Sequence, residues 1–234
     1  MSKIIVANWK MNGSGEFIHS FFSTFTNSTD NRLIICPPYP YLSQVKSHGV
    51  TVGAQDCSQH TSGAFTGDIA ASMLHDMGCS YVILGHSERR QYHAESNALI
   101  REKAHAALDA GLTPIICVGE SRAIRESGNH IETVLNQAKE SIPSGTGKFM
   151  LAYEPIWAIG TGLTASESDI AEMHTALRHL LPTTPLLYGG SVNKENAKTI
   201  MSTPDVDGVL VGGASLKPDD LMAILDFKTP LGNR

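Results

Sequence analysis

The chain has 234 residues, of which 41% are hydrophobic and 18% charged, and its 18 Lys and Arg against 23 Asp and Glu leave a net charge of −5. That length suits one undivided α/β barrel domain over residues 1–234, large enough to bury roughly 70% of its unfolded surface without help from a disulfide or metal. The negative balance and the lack of any basic run argue against nucleic-acid binding, and no apolar run is long enough to span a membrane.

The chain opens directly into the apolar run Ile4-Ile5-Val6. No charged segment and apolar stretch precede it, so no secretory leader is expected and the compartment is read as the cytoplasm. Further short apolar runs follow at residues 33–36, 50–52, 81–84, 114–118, 149–153, 186–188 and 209–211. They are unbroken and rich in β-branched residues, the pattern of parallel strands buried on both faces. Amphipathic stretches separate them. Residues 97–110 carry Ile100, Ala104, Ala107 and Leu108 at helical spacing and end at Gly111. Residues 166–181 carry Ile170, Met173, Leu177, Leu180 and Leu181, with Ser166 and Asp169 placed as a cap and a first-turn acid. Eight strands alternating with about eight helices predict a closed (β/α)8 barrel. The open doubly wound sheet would need a glycine-rich turn after its first strand, and Asn8-Trp9-Lys10-Met11-Asn12-Gly13 is not one. Residues 228–234 read as a loose tail.

The cysteines Cys36, Cys57, Cys79 and Cys117 form no CxxC pair and no zinc spacing, so they read as reduced thiols; no metal is assigned.

A barrel places its active site where strands end and helices begin. After the first strand come Asn8 and Lys10, and Lys10 there would offer positive charge to an anion or an anionic intermediate, or else a Schiff base. After the fourth come His86, Ser87 and Glu88. The helix starting at Ser87 should disfavour a charged imidazole, leaving His86 neutral, donating one hydrogen bond and accepting another from the helix backbone. After the sixth comes Glu154, a carboxylate at the end of an apolar strand, costly unless hydrated or used. The following Pro155, Ile156, Trp157, Ala158, Ile159, Gly160, Thr161 and Gly162 read as an apolar lid that dries Glu154 and strengthens it as a base. After the seventh and eighth strands, Gly189-Gly190-Ser191 and Gly212-Gly213 let backbone N–H groups approach a phosphate.

Several of these stretches resemble the triosephosphate isomerase family. They are Asn8-Trp9-Lys10-Met11-Asn12, Gly53-Ala54-Gln55, Gly63-Ala64-Phe65-Thr66-Gly67, Leu84-Gly85-His86-Ser87-Glu88-Arg89-Arg90, Cys117-Val118-Gly119-Glu120, residues 152–162, Tyr188-Gly189-Gly190-Ser191-Val192 and Val211-Gly212-Gly213-Ala214-Ser215-Leu216. The similarity runs from Ile4 to about Leu225. The resemblance implies a TIM barrel that interconverts dihydroxyacetone phosphate and glyceraldehyde 3-phosphate, in glycolysis and gluconeogenesis, without cofactor or metal. It implies Glu154 as base, His86 as electrophile, and Lys10 with Asn8 beside it, Glu88 being held close to the lysine. Gly160, Ser191, Gly212 and Gly213 would contact the phosphate, and Ile159 and Leu210 would clamp Glu154. A homodimer is implied too, with Gln55, Thr66 and Arg89 at the interface and Thr66 reaching toward the partner's site. An aldolase using Lys10 as a Schiff base is the alternative. The sequence departs from the family pattern in four places. Asp56 stands where Asn is usual and adds a charge near the presumed interface. Asp68 stands where Glu is usual, a change expected to weaken an ion pair with Arg89. Leu163 replaces the lysine at the rear of the lid, and the first helical region, residues 15–31, is short.

Overall fold

In the computed structural model, which describes residues 2–27, 29–145, 147–159 and 164–228, eight strands pair side by side in chain order and close on themselves. They are β1 (Ile4–Asn8), β2 (Arg32–Cys36), β3 (Thr51–Ala54), β4 (Tyr81–Leu84), β5 (Thr113–Val118), β6 (Met150–Tyr153), β7 (Leu186–Tyr188) and β8 (Gly208–Val211). Every pairing is parallel, and Ile4 opposite Gly208 closes the ring between β1 and β8. The expected barrel is therefore the observed one.

Ten α-helices surround it among the described residues: α1 (Gly15–Thr24), α2 (Leu42–Lys46), α3 (Ala71–Asp76), α4 (Ser87–Tyr92), α5 (Asn97–Asp109), α6 (Arg122–Glu126), α7 (His130–Ser141), α8 (Glu167–Leu180), α9 (Ala197–Ser202) and α10 (Pro218–Leu225). The strict alternation expected from the sequence gives way after β4 and β5, where two helices follow each strand. The breaks have local causes. Ala94 takes a left-handed conformation (φ +53) after α4, and Ser96 then caps α5 by accepting from the Leu99 N–H; Gly128 (φ +78) separates α6 from α7. Helix α8 carries the expected cap in full, a box in which Ser166 and Asp169 satisfy each other's backbone N–H.

The period of two along a strand divides the apolar residues into two cores. Ile4, Val6, Ile34, Ile83, Met150, Ala152, Leu187 and Leu210 fill the barrel interior, while Ile5, Ala7, Leu33, Leu84, Leu151 and Val209 pack outward against the helices. The same alternation places the site. Ile4 and Val6 lead inward to Asn8, and Met150 and Ala152 lead inward to Glu154, so both polar residues continue the interior set at the C-terminal mouth. The four cysteines are buried free thiols. Of the tail, only Lys228 falls within the described residues.

Candidate active site

A cavity of about 260 Å³ opens at this mouth, with Asn8, Lys10, His86 and Glu154 on one side and Gly190, Ser191, Gly212 and Gly213 on the other. The structure thus brings together the predicted base, electrophile, lysine and anion turns. Ile159 and Leu210 line the same cavity.

Lys10 reaches the cavity from a strained backbone. Its φ of +51 is unusual for a side chain other than glycine. Two groups hold it: its N–H donates to Asn8 Oδ1 at 3.0 Å, and Gln55 Nε2 donates to its carbonyl at 2.8 Å and to Cys36 O at 2.9 Å. Gln55, expected at an interface, is thereby tied into the chain's own mouth. Lys10 Nζ lies 2.6 Å from Glu88 Oε1, the closeness expected of that pair.

Glu154 is 2% exposed. Its Oε2 accepts the Ser87 N–H at 2.9 Å. His86 Nε2 is 2.9 Å from its Oε1. Burial drives the Glu154 carboxyl upward, but His86, the Ser87 N–H and Lys10 outweigh it and hold the group below its ordinary value. His86 caps α4, its Nδ1 accepting the Glu88 N–H at 3.3 Å. That bond needs an unprotonated Nδ1, the arrangement expected of a neutral ring with its proton on Nε2. Burial also lowers the imidazole pKa, but the neighbouring carboxylates, Glu154 foremost, carry it above its ordinary value. The neutral His86 expected from the helix N-terminus alone is therefore opposed while Glu154 faces it. The helix start favours the neutral ring, and the adjacent anion favours the cation.

The front of the expected lid is a single 3-10 turn, Ile156–Ala158. It is latched open-handedly on both sides. Trp157 Nε1 and the Tyr153 hydroxyl donate to Glu120 Oε1 at 2.8 and 3.0 Å, and the Ser191 hydroxyl donates to Ala158 O at 2.6 Å. Ser191, expected on the phosphate, here spends its hydroxyl on the lid. Gly160, Thr161, Gly162 and Leu163 lie outside the described residues. Glu120 was readable by the rule that singled out Glu154, since it too follows an apolar strand.

The interface departures resolve differently from expectation. Asp56 is a buried partner rather than an added surface charge: both its oxygens accept from Lys103 Nζ at 2.9 Å, and Arg89 Nη2 lies 2.9 Å away. Glu95 completes the cluster, 2.6 Å from Lys103 and 2.7 Å from Arg89. Arg89 thus pairs with Asp56 and Glu95, while Asp68 accepts from the Ser58 hydroxyl at 2.7 Å and makes no ion pair among the described residues. The sequence signal for Lys103 was its place on the apolar stripe of α5, three residues past Ile100, where a solvated lysine does not belong. Among the described residues no group of three or more His, Cys, Asp or Glu is placed to hold a metal ion, and no helix is long and apolar enough to cross a membrane.

A carboxylate, an imidazole and an ammonium around one small cavity, at the strand-end mouth of a closed parallel barrel, define a barrel enzyme of the acid–base kind. The family model described as Triosephosphate isomerase matches residues 3–228. The triosephosphate isomerase of Idiomarina loihiensis is 42% identical over 95% of this chain and 96% of its own length, and that of Acidiphilium cryptum is 44% identical over 96% and 97%. A crystal structure of triosephosphate isomerase from Bartonella henselae superposes with a TM-score of 0.87 at 37% identity, covering 97% of this chain and 98% of that one. The chain belongs to the triosephosphate isomerase family and is an isomerase.

Proposed function

We infer that the chain interconverts dihydroxyacetone phosphate and D-glyceraldehyde 3-phosphate, with Glu154 moving the proton. The observation that carries this reading is the Glu154 carboxylate, buried in the wall of the anion-sized cavity beside His86 and Lys10. A carboxylate so placed, with His86 and Lys10 beside it, can take a proton from a substrate held in the cavity.

In this reading Glu154 takes a proton from the carbon beside the substrate carbonyl, forming an enediolate. The His86 Nε2–H and the Lys10 ammonium stabilise the oxygen where negative charge develops. The hydroxyl proton of the enediolate crosses to the neighbouring oxygen, beside His86, and Glu154 returns its own proton to the neighbouring carbon, so the aldose and ketose differ in where one carbon-bound hydrogen, one hydroxyl proton and the carbonyl lie. When Glu154 turns from His86 to the substrate, the carboxylate that raises the imidazole pKa moves away, and the helix start favours the neutral donor. Gly212 and Gly213 serve the phosphate. A Cβ on Gly213 would meet nothing within 4 Å, and one on Gly212 nothing nearer than Lys10 Cε at 3.4 Å. At Gly213 the protein's own packing therefore gives little reason for a bare backbone, whereas close approach of an anion does. Gly160 would complete the phosphate contacts when the lid closes, and Ile159 and Leu210 would dry the base.

A Schiff base on Lys10 would have to break the contact of its Nζ with Glu88 Oε1 at 2.6 Å. The chain is further read as a homodimer. Met11, Phe65, Met73, Met77 and Tyr92 are large apolar side chains left exposed, and Met11 and Tyr92 border a second cavity of about 410 Å³ beside the active one. Phe65 stacks on His60 next to Thr66, stiffening a projecting loop suited to such a cavity on a second copy.

A coupled assay with glyceraldehyde 3-phosphate tests the reading. Wild-type protein should turn over, and Glu154→Asp, which withdraws the carboxylate by one methylene, should lower kcat at least ~100-fold. A near-normal rate in Glu154→Asp would remove Glu154 as the base.

A further inference from the structure

Arg90 lies behind the active-site mouth and does not line its cavity. Its Nε donates to Gly85 O at 2.8 Å and its Nη2 to Cys117 O at 2.8 Å and Ser141 Oγ at 3.2 Å, while Nη1 donates to Asn97 Oδ1 at 2.6 Å. No carboxylate stands within ion-pair distance of it among the described residues. A half-buried guanidinium whose side-chain hydrogen bonds all go to neutral oxygens is an expensive way to fill space. What it gains is geometry, because a planar fork can hold several acceptors in fixed relation where an ammonium cannot.

Two of those acceptors matter for the site. Gly85 ends β4 in a left-handed turn (φ +66) and is the residue before His86. Cys117 belongs to β5, the strand whose Val118 carbonyl accepts the Glu154 N–H at 2.7 Å. The guanidinium therefore staples the turn that carries His86 and Ser87 to the strand that holds Glu154. Across that staple lie the two contacts of the carboxylate, the Ser87 N–H and His86 Nε2, each at 2.9 Å. The turn has little room to relocate, since a Cβ on Gly85 would lie 2.5 Å from Ile100 Cδ1 and 3.1 Å from Arg90 Nη2.

We propose that Arg90 is a positioning residue for the isomerase, fixing the Gly85-His86-Ser87 turn, and with it the imidazole that faces the substrate oxygen, relative to Glu154. The proposal rests on the roles of His86 and Glu154 given above. It also separates Arg90 from its neighbour Arg89, whose guanidinium serves the Asp56–Glu95–Lys103 cluster.

Arg90→Lys keeps the cation but can reach only one of the two carbonyls. Asn97→Ala keeps the guanidinium and removes its outer acceptor, together with the bonds of Asn97 to Glu140 and Ser141, at a half-buried site. Each is assayed for kcat per active site, the sites being counted with a hydroxamate that mimics the enediolate, and for the 15N resonances of the His86 ring. The expected result for Arg90→Lys is a fall in kcat per site of at least ~10-fold with KM within about threefold, together with displaced His86 resonances. Asn97→Ala should give a smaller change of the same kind, and it decides the matter if Arg90→Lys does not fold. A merely structural role would lower the number of titratable sites and leave kcat per site untouched. Unchanged kcat per site with His86 resonances at their wild-type positions would overturn the proposal. That outcome is distinct from failure of the functional reading, which would show as normal turnover in Glu154→Asp.

Discussion

Gly189, at the end of β7, is the place where one methyl group tests the position of the base. A Cβ built there would lie 2.9 Å from Glu154 Cγ, 3.4 Å from Tyr153 O and 3.5 Å from Leu210 Cδ2. Carbon atoms settle at ~3.5–4.0 Å, so Gly189→Ala obliges Glu154 Cγ to yield by about 0.6–1 Å. The backbone cannot absorb the shift easily, because the Gly189 N–H is bound to Tyr153 O at 2.7 Å. The displacement passes to a carboxylate whose hydrogen bond to Ser87 is 2.9 Å long. A misplacement near 1 Å costs on the order of 100-fold in rate, or about 2.7 kcal/mol of barrier. Overpacking should lower stability by about 1–3 kcal/mol, which leaves most of the protein folded. The expected result is a kcat lowered ~10–100-fold with KM changed only a few-fold, measured in the coupled assay alongside a denaturant titration. A folded Gly189→Ala protein with kcat within twofold of wild type would show that the observed placement of Glu154 is not what the reaction depends on.

Lys103→Met should destabilise the fold by about 3–5 kcal/mol, since it leaves the buried Asp56 and Glu95 with Arg89 alone; a loss under 1 kcal/mol by guanidinium titration would show the cluster to be better hydrated than its burial indicates. His174 is fully buried, and that burial pushes its pKa down to about 4. The unfolded chain, with an ordinary value near ~6.5, then binds the extra proton first, so stability present above about pH 6.5 is lost as pH falls toward 4, by about 3 kcal/mol. His174→Leu should flatten that slope, and an unchanged slope would assign it to other groups. Thr66→Arg, at the exposed loop tip, should weaken self-association at least ~10-fold, about 1.4 kcal/mol, with activity falling on dilution; identical sedimentation of the variant and wild type would separate Thr66 from any interface.

The barrel was legible because its strands are unbroken apolar runs, and a strand buried on both faces cannot be written any other way. The rim residues followed from one further rule, that chemistry gathers where strands end, and it led to Lys10, His86, Glu154 and the glycine turns. It did not lead to Arg90. In a string of four polar residues, Ser87 to Arg90, nothing distinguishes an arginine turned inward toward two carbonyls from one turned toward water. Asp56 was misjudged for the opposite reason. A charge read one residue at a time counts as exposed, whereas its neutralising partners Lys103 and Arg89 lie 47 and 33 positions away.

The sequence by itself determined the eight-strand alternation, the polarity of each strand end and hence the face that would bear the site, because these rest on period and on the cost of burying unpaired polar groups. Only the tertiary structure decided which acceptors each buried charge faces, that the Ser191 hydroxyl donates to Ala158 O, and that His86 is pulled one way by the helix start and the other by Glu154. Hydrogen bonds and charge pairs act over a few ångströms between residues far apart in the chain, so they exist only once the barrel has closed.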